Sequence, residues 1–337
     1  MIMTSEKNME DLNLPNVISI DEAYGRFDTD DDGDRDASSS LSVASSAYTF
    51  RMEHGRRYHD YKIGSPFPHD EVSDENDFLL HELCLVLLDD RYYLAPIDET
   101  SLHCVVDVGT GLGLWAEGVA ERFPDSQVVG IDLTPHPRSI FPNCSYMLSD
   151  ASEEWVLDDP TMKFDLAHIR SLFGSVPDWA ALYKNCFDNM NPGGWIEHLE
   201  MEINAQTDDA EVPADSQIKF LSSFAHTHMT VASGRDFGIS FGMRKLIEEA
   251  GFVDVQEKRL KVPLGPWASD PKLKEVGRLC ERFYKTGLQG WLMHVCTRSL
   301  GWTSEQVNEA CTKAFQELDT RQQHWYWVLV IVIGRKP

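Results

Sequence analysis

From Leu102 onward, short apolar runs alternate with amphipathic stretches. "LHCVVDVG", "QVVGIDL", "CSYMLS", "FDLAHIR" and "GGWIEHLEM" predict five strands. "LGLWAEGVAERF" and "DWAALYKNCFDNM" carry helical spacing and fall between strands. The alternation predicts an α/β fold, a parallel sheet with helices on both faces. Downstream, "GMRKLIEEAGF" predicts a helix closed by Gly251. "VDVQEKRLKVPL" and "HWYWVLVIVIGRKP" predict two more strands. Upstream, "DENDFLLHELCLVLLDDRYYLAP" sets Phe78, Leu79, Leu83, Val86 and Leu87 at helical spacing, which predicts a helical segment across 49–100 ahead of the sheet. Two stretches, about 205–240 and 265–323, are too long for connecting loops and are expected to form caps over a substrate.

Composition changes this picture at the N-terminus. Residues 1–48 include "DTDDDGDRDASSSLSVASS", whose charge and low hydrophobicity predict a disordered acidic, serine-rich tail. The whole chain carries a formal net charge of -25. A surface this acidic repels phosphate backbones and anionic lipid heads, so nucleic acid and membranes are poor partners. The seven cysteines are scattered, with no C-x-x-C pair, so neither a zinc site nor a redox motif is indicated and no metal is expected. Isolated thiols and no cleavable apolar leader point to a reducing, cytoplasmic setting. The most apolar run, "WYWVLVIVI", is too short to span a bilayer as a helix and reads as a buried strand.

The chemistry gathers at "VVDVGTGLGLWAEGVAERFPDSQVVGIDL". Asp107, Gly109, Thr110, Gly111 and Gly113 form a loop directly after a strand and before a helix, the context such a loop needs. Asp132 closes the next strand, where a carboxylate can accept ribose hydroxyls. The glycines stand G-x-G-x-G rather than G-x-G-x-x-G, and an aspartate precedes them. A carboxylate there suits a cationic ligand better than a pyrophosphate, which favours S-adenosyl-L-methionine over a dinucleotide. Asp150, after the third strand, is placed to accept the adenine amino group. "NMNPGGW" supplies a Pro-Gly-Gly turn before the fifth strand.

With these motifs in order, the chain resembles the class I S-adenosylmethionine-dependent methyltransferases, and within them the fungal LaeA-like group. The resemblance runs from about Tyr48 to the last residue and includes "FRMEHGRRYHDY", "YYLAPI", "NPGGWIEHLEM", "VPLGPWASDPKLKEVG" and "RSLGWTSEQV". It implies a Rossmann-like, seven-stranded sheet with the last strand antiparallel. It also implies cofactor contacts at Asp107, Gly109, Gly111 and Gly113, at Asp132 with Leu133, and at Asp150 with Ala151. Leu112 stands where a smaller residue is usual, which should narrow the pocket slightly. The segment holding Arg57 and Tyr58 is expected to fold over the cofactor as a lid. The other reading of that segment is an amphipathic stretch paired to an acidic domain.

Reacting groups in an open α/β sheet lie beyond the carboxyl ends of the strands. That selects His168 and Arg170 on the fourth strand, and Glu197, His198 and Glu200 on the fifth. Alternation puts His198 and Glu200 on one face and Glu197 on the other. His198, Glu200 and His168 are therefore the catalytic candidates, and Arg170 joins the cofactor side. The competing reading makes both imidazoles buried and structural. Trp267, Trp291, Trp302, Phe224 and Phe241 lie in or beside the caps and divide between pocket wall and core. The expected activity is methyl transfer from S-adenosylmethionine to a small-molecule acceptor in fungal secondary-metabolite biosynthesis. The alternatives are a LaeA-like nuclear regulator with velvet-type protein partners, and an inactive cofactor-binding module.

Overall fold

The computed structural model describes residues 9, 12, 14–22, 24, 50–59, 66–157 and 159–337. Two short strands, β1 (Phe50–Glu53) and β2 (Arg56–His59), pair antiparallel across His54 and Gly55, both at positive φ. The predicted lid thus begins as a hairpin and not as a helix. Helix α1 (Glu71–Leu87) follows, capped by the Asp70 side chain accepting from the Ser73 amide. It buries Asn76, Leu79, Leu80, Leu83, Cys84 and Leu87, one stripe at helical spacing. Phe78, expected on that stripe, lies off it and is exposed.

The sheet comprises β3 (Cys104–Val108), β4 (Gln127–Asp132), β5 (Cys144–Leu148), β6 (Phe164–Arg170), β7 (Met190–Gln206), β8 (Val253–Pro263) and β9 (Tyr326–Arg335). Its order is β5-β4-β3-β6-β7-β9-β8, and β9 runs antiparallel to both neighbours. Seven strands with the last antiparallel is the expected arrangement. Helices α2 (Leu114–Arg122) and α3 (Trp179–Asn189) link strands as the pattern predicts. The Pro192-Gly193-Gly194 step lies inside β7 as a bulge, because β7 already pairs with β6 at Met190 before its register shifts.

Both long insertions are helical. The first holds α4 (Gln217–Phe224), a π-helical turn at Ala225–Met229 and α5 (Thr230–Ser233), before α6 (Met243–Glu249) leads into β8. The second holds α7 (Pro271–Ser299) and α8 (Ser304–Asp319). Asp270 caps α7 with Pro271 in its first turn, and Thr303 with Gln306 forms a reciprocal capping box on α8. Helix α7 packs along α1, where the buried Asn76 amide donates to the Phe283 carbonyl (2.7 Å).

Part of the expected acidic tail is structured. Met9, Leu12 and Ile18 are buried in the core, Ile20 bridges Ala268, and Asp21 pairs with Lys274. These apolar positions offset the ordering cost that the surrounding charge suggested they could not. The rest of the expected tail, including the serine tract, lies outside the described residues.

Candidate active site

The loop after β3 turns through Gly109, Gly111 and Gly113, at φ +73°, +54° and +76°. A Cβ on Gly109 would collide with the Leu172 side chain, so the backbone there meets the start of the segment that follows β6. The Gly109 and Thr110 amides donate to the Ile131 carbonyl, and the Gly111 amide donates to Asp132 Oδ2 (2.9 Å). Asp132 Oδ1 accepts from the amide and hydroxyl of Thr134. The loop is thus fastened to the end of β4, with the Asp132 carboxylate at its centre and half-buried.

Asp107 faces inward. Its Oδ1 accepts from His168 Nδ1 (2.9 Å) and its Oδ2 from the Thr110 hydroxyl (2.7 Å). Oδ2 thus holds the loop from behind, while Oδ1 ties β3 to β6. Leu133 and Ala151 are half-buried at their strand ends, and Asp150 accepts from the Ser152 amide. At the end of β6, the Arg170 guanidinium donates to His81 Nδ1 of α1 (3.2 Å). Burial and that guanidinium push His81 down to about 4, which keeps the ring an acceptor.

One residue absent from the sequence-based candidates belongs here. Asp77 of α1 stands over the loop, its Oδ2 3.4 Å from where a Gly111 Cβ would lie. The residue is exposed to solvent. The protein around it, with Asp74 and Asp132 nearby, raises its carboxyl above the usual carboxylate range. Helical spacing alone gave no sign of this, since α1 meets the loop only through the tertiary fold.

A second cavity, about 40 Å³, is almost wholly apolar. Phe173 enters it from the β6 end, one residue beyond the Leu172 that abuts Gly109. The first insertion supplies Leu221, Ala225, Met229 and Phe237, and the second supplies Tyr284, Leu288, Trp291 and Leu292. Phe173 meets Phe237 and Trp291 edge-to-face, with centroids 6.3 and 6.5 Å apart. Of the other cap aromatics, Trp302 packs on Phe224, Trp267 is core with its indole donating to the Trp325 carbonyl, and Phe241 is exposed.

The sequence comparisons agree with this geometry. A methyltransferase-domain family profile matches residues 79–257. Methyltransferase pytC of Aspergillus terreus is 33% identical over 329 residues, covering 96% of this chain and 97% of that protein. Secondary metabolism regulator LAE1 of Cochliobolus heterostrophus is 31% identical over 293 residues, covering 85% of this chain and 94% of that one. The chain belongs to the class I methyltransferases, in the LaeA-like group. Among solved structures, phosphoethanolamine N-methyltransferase 2 of Haemonchus contortus, in complex with S-adenosyl-L-methionine, aligns at 15% identity with a TM-score of 0.41, over 78% of this chain and 52% of that one.

S-adenosylmethionine is the cofactor of this methyltransferase, and the cleft fits it. Carboxylates at Asp77 and Asp132 line the glycine loop, a setting that favours a cationic ligand and disfavours a phosphate. The catalytic expectations fare differently. His198 and Glu200 do share a face of β7, but that face is sealed. Glu200 accepts from the amides of Leu172 (3.1 Å) and Phe173 (3.2 Å), as a carboxylate does. His198 Nε2 therefore donates to Glu200 (2.9 Å), and Nδ1 accepts the Tyr183 hydroxyl (2.8 Å). Neither ring nitrogen is left to take a proton from an acceptor.

His168 is equally enclosed. It stacks on Trp115 with ring centroids 3.8 Å apart, and burial pushes it down to about 4 despite Asp107. All three candidates are thus buried and bonded within the protein. Tyr58 is fully buried beside His294, so it does not reach the cofactor cleft. Arg57 is exposed and donates to the His69 carbonyl (2.6 Å). Its neighbour Arg56 makes the lid's firm contacts, to both oxygens of Asp70 (2.7 and 2.8 Å) and to Gln289 (2.9 Å).

Proposed function

We propose that this methyltransferase modifies a small, largely apolar acceptor of fungal secondary metabolism. The observation that carries this reading is the apolar cavity between the two insertions, joined to the glycine loop through Leu172 and Phe173. When bound, the cofactor supplies an electrophilic methyl group on a sulfonium. The loop glycines, Asp132 with Leu133, and Asp150 with Ala151 are the residues we assign to holding it. Thr110 and Asp107 hold the loop rather than the ligand.

Because His168, His198 and Glu200 are committed to internal bonds, the chain contributes orientation and exclusion of water rather than a side-chain base. Glu200 fixes the Leu172–Phe173 backbone between the two pockets. Phe173, Phe237 and Trp291 present flat apolar faces to the acceptor. Metabolite-sized ligands need about 300 Å³ or more, so the acceptor enters as the helical insertions part and closes them around itself.

A second reading follows from the likeness to the regulator LAE1 over 85% of the chain. It assigns a nuclear role with velvet-type partners, in place of a cytoplasmic biosynthetic one. One experiment separates the two. Purified protein is incubated with S-adenosylmethionine labelled in its methyl group and with a fungal extract split into metabolite and protein fractions. The first reading expects label in low-mass apolar products. Label confined to protein, or to nothing unless a partner protein is added, would overturn it.

A further inference from the structure

The cleft presents an acid and a base that do not neutralise each other. Asp77 stands over Gly111 from α1, and Arg170 meets the same helix from the end of β6, where its guanidinium donates to His81. The two side chains sense each other electrostatically, yet no ion pair joins them among the described residues. Each was free to find a counter-charge nearby, and Asp77 instead faces Asp74 on its own helix and Asp132 at the end of β4. The loop segment beneath it carries no charged side chain. An acid and a base held apart on one wall match a ligand that is itself a zwitterion, and the amino-acid end of the cofactor is one.

We propose that Asp77 is the counter-charge for the cofactor's methionine ammonium, with Arg170 on the carboxylate side. The inference rests on the cofactor occupying the glycine loop. It gives α1 a function that its sequence did not disclose: the helix closes the cleft and brings the one acid aimed at the ammonium. It also makes binding proton-linked. The protein around Asp77, with Asp74 and Asp132 nearby, raises its carboxyl above the ordinary range, and a cation that arrives favours the ionised form. Binding therefore releases protons wherever Asp77 is still partly protonated. Affinity falls as the pH drops and Asp77 protonates, and the release fades at higher pH, where Asp77 is already ionised.

The test is calorimetric, on the full chain. S-adenosylmethionine, S-adenosylhomocysteine and 5′-methylthioadenosine are titrated into native protein and Asp77→Asn, in buffers of different ionisation enthalpy. The third ligand keeps the adenosine and lacks the amino-acid end. Asp77→Asn should weaken the first two alike, about tenfold or more, leave the third unchanged and abolish proton release. Equal affinity of the variant for S-adenosylmethionine would overturn the proposal. So would equal weakening of all three ligands, which would make Asp77 a shaping residue, or weakening of S-adenosylmethionine alone, which would assign it to the sulfonium. Asp77→Glu, tested alongside, should restore most of the affinity; if Asp77→Asn fails to fold, a normal proton release by Asp77→Glu at unchanged affinity is required, and its absence counts against the proposal. Failure of the native protein to bind any of the three would overturn the loop assignment and this inference with it, an outcome distinct from the others.

Discussion

Glu200→Gln is the substitution that most sharply separates a positioning role from a catalytic one. The native carboxylate accepts three hydrogen bonds, from the Leu172 amide, the Phe173 amide and His198. A glutamine can keep its carbonyl at the Oε2 position and satisfy Leu172 and His198. Its NH₂ group then faces the Phe173 amide, donor against donor. Stranding that buried amide and weakening the two bonds that lose a charged acceptor costs about 2–5 kcal/mol. At about 2.1 cal/mol/K per ordered residue, this lowers Tm by about 3–8 °C.

The loss should also be felt in binding. Leu172 abuts Gly109 and Phe173 lines the acceptor cavity, so S-adenosylmethionine affinity should drop a few-fold and transfer further. Tyr183→Phe removes only the hydroxyl donated to His198 and should cost about 1 kcal/mol. Combined with Glu200→Gln it should be less than additive, because the two sites share one network. Scanning calorimetry and titration calorimetry read both effects. If Glu200→Gln melted with the native protein, bound cofactor normally and still lost all transfer, the positioning account would be refuted.

Three further outcomes are expected. Gly109→Val, at φ +73° with the Leu172 side chain in the way, should abolish S-adenosylmethionine binding by calorimetry; retained affinity would remove the loop from the cofactor site. Trp291→Ala should leave cofactor Kd within about twofold while extract methylation collapses, since the indole lines only the apolar cavity. The Arg298 hydrogen bond, against opposing burial and with help from Arg51 and His294, holds Glu53 down to about 2. Hairpin docking is thus fully supported above about pH 4.5 and lost as the pH falls toward 2. Pepsin should cut the hairpin increasingly across that window, and Glu53→Gln should be cut already at its upper end.

The sheet was legible because its inner strands, β3, β4, β6, β7 and β9, are largely buried on both faces and read as apolar runs. "HCVVDVGTG" and "QVVGIDL" fix both a strand and the loop chemistry, so the cofactor cleft could be placed by residue number. The face of β7 could not be. Alternation correctly paired His198 with Glu200, but period two does not say whether the shared face meets water. With β6 and β9 on either side and Trp179 stacked on His198, it does not. The hairpin was readable in principle, from His54-Gly55 between two strand-like quartets, and was obscured by the charge around it. Asp77 was beyond reach, since its environment exists only once α1 crosses the loop.

The acceptor cavity divides unevenly between framework and insertions. Only Phe173, Ile203 and Trp327 come from the segments that build the sheet; the other nine lining residues come from the two helical insertions. On the proposed reading, the glycine loop that holds the methyl donor and most of the wall that would meet the acceptor lie in different parts of the chain. If the cavity holds the acceptor, substitutions confined to the insertions should change the recipient more than the cofactor Kd.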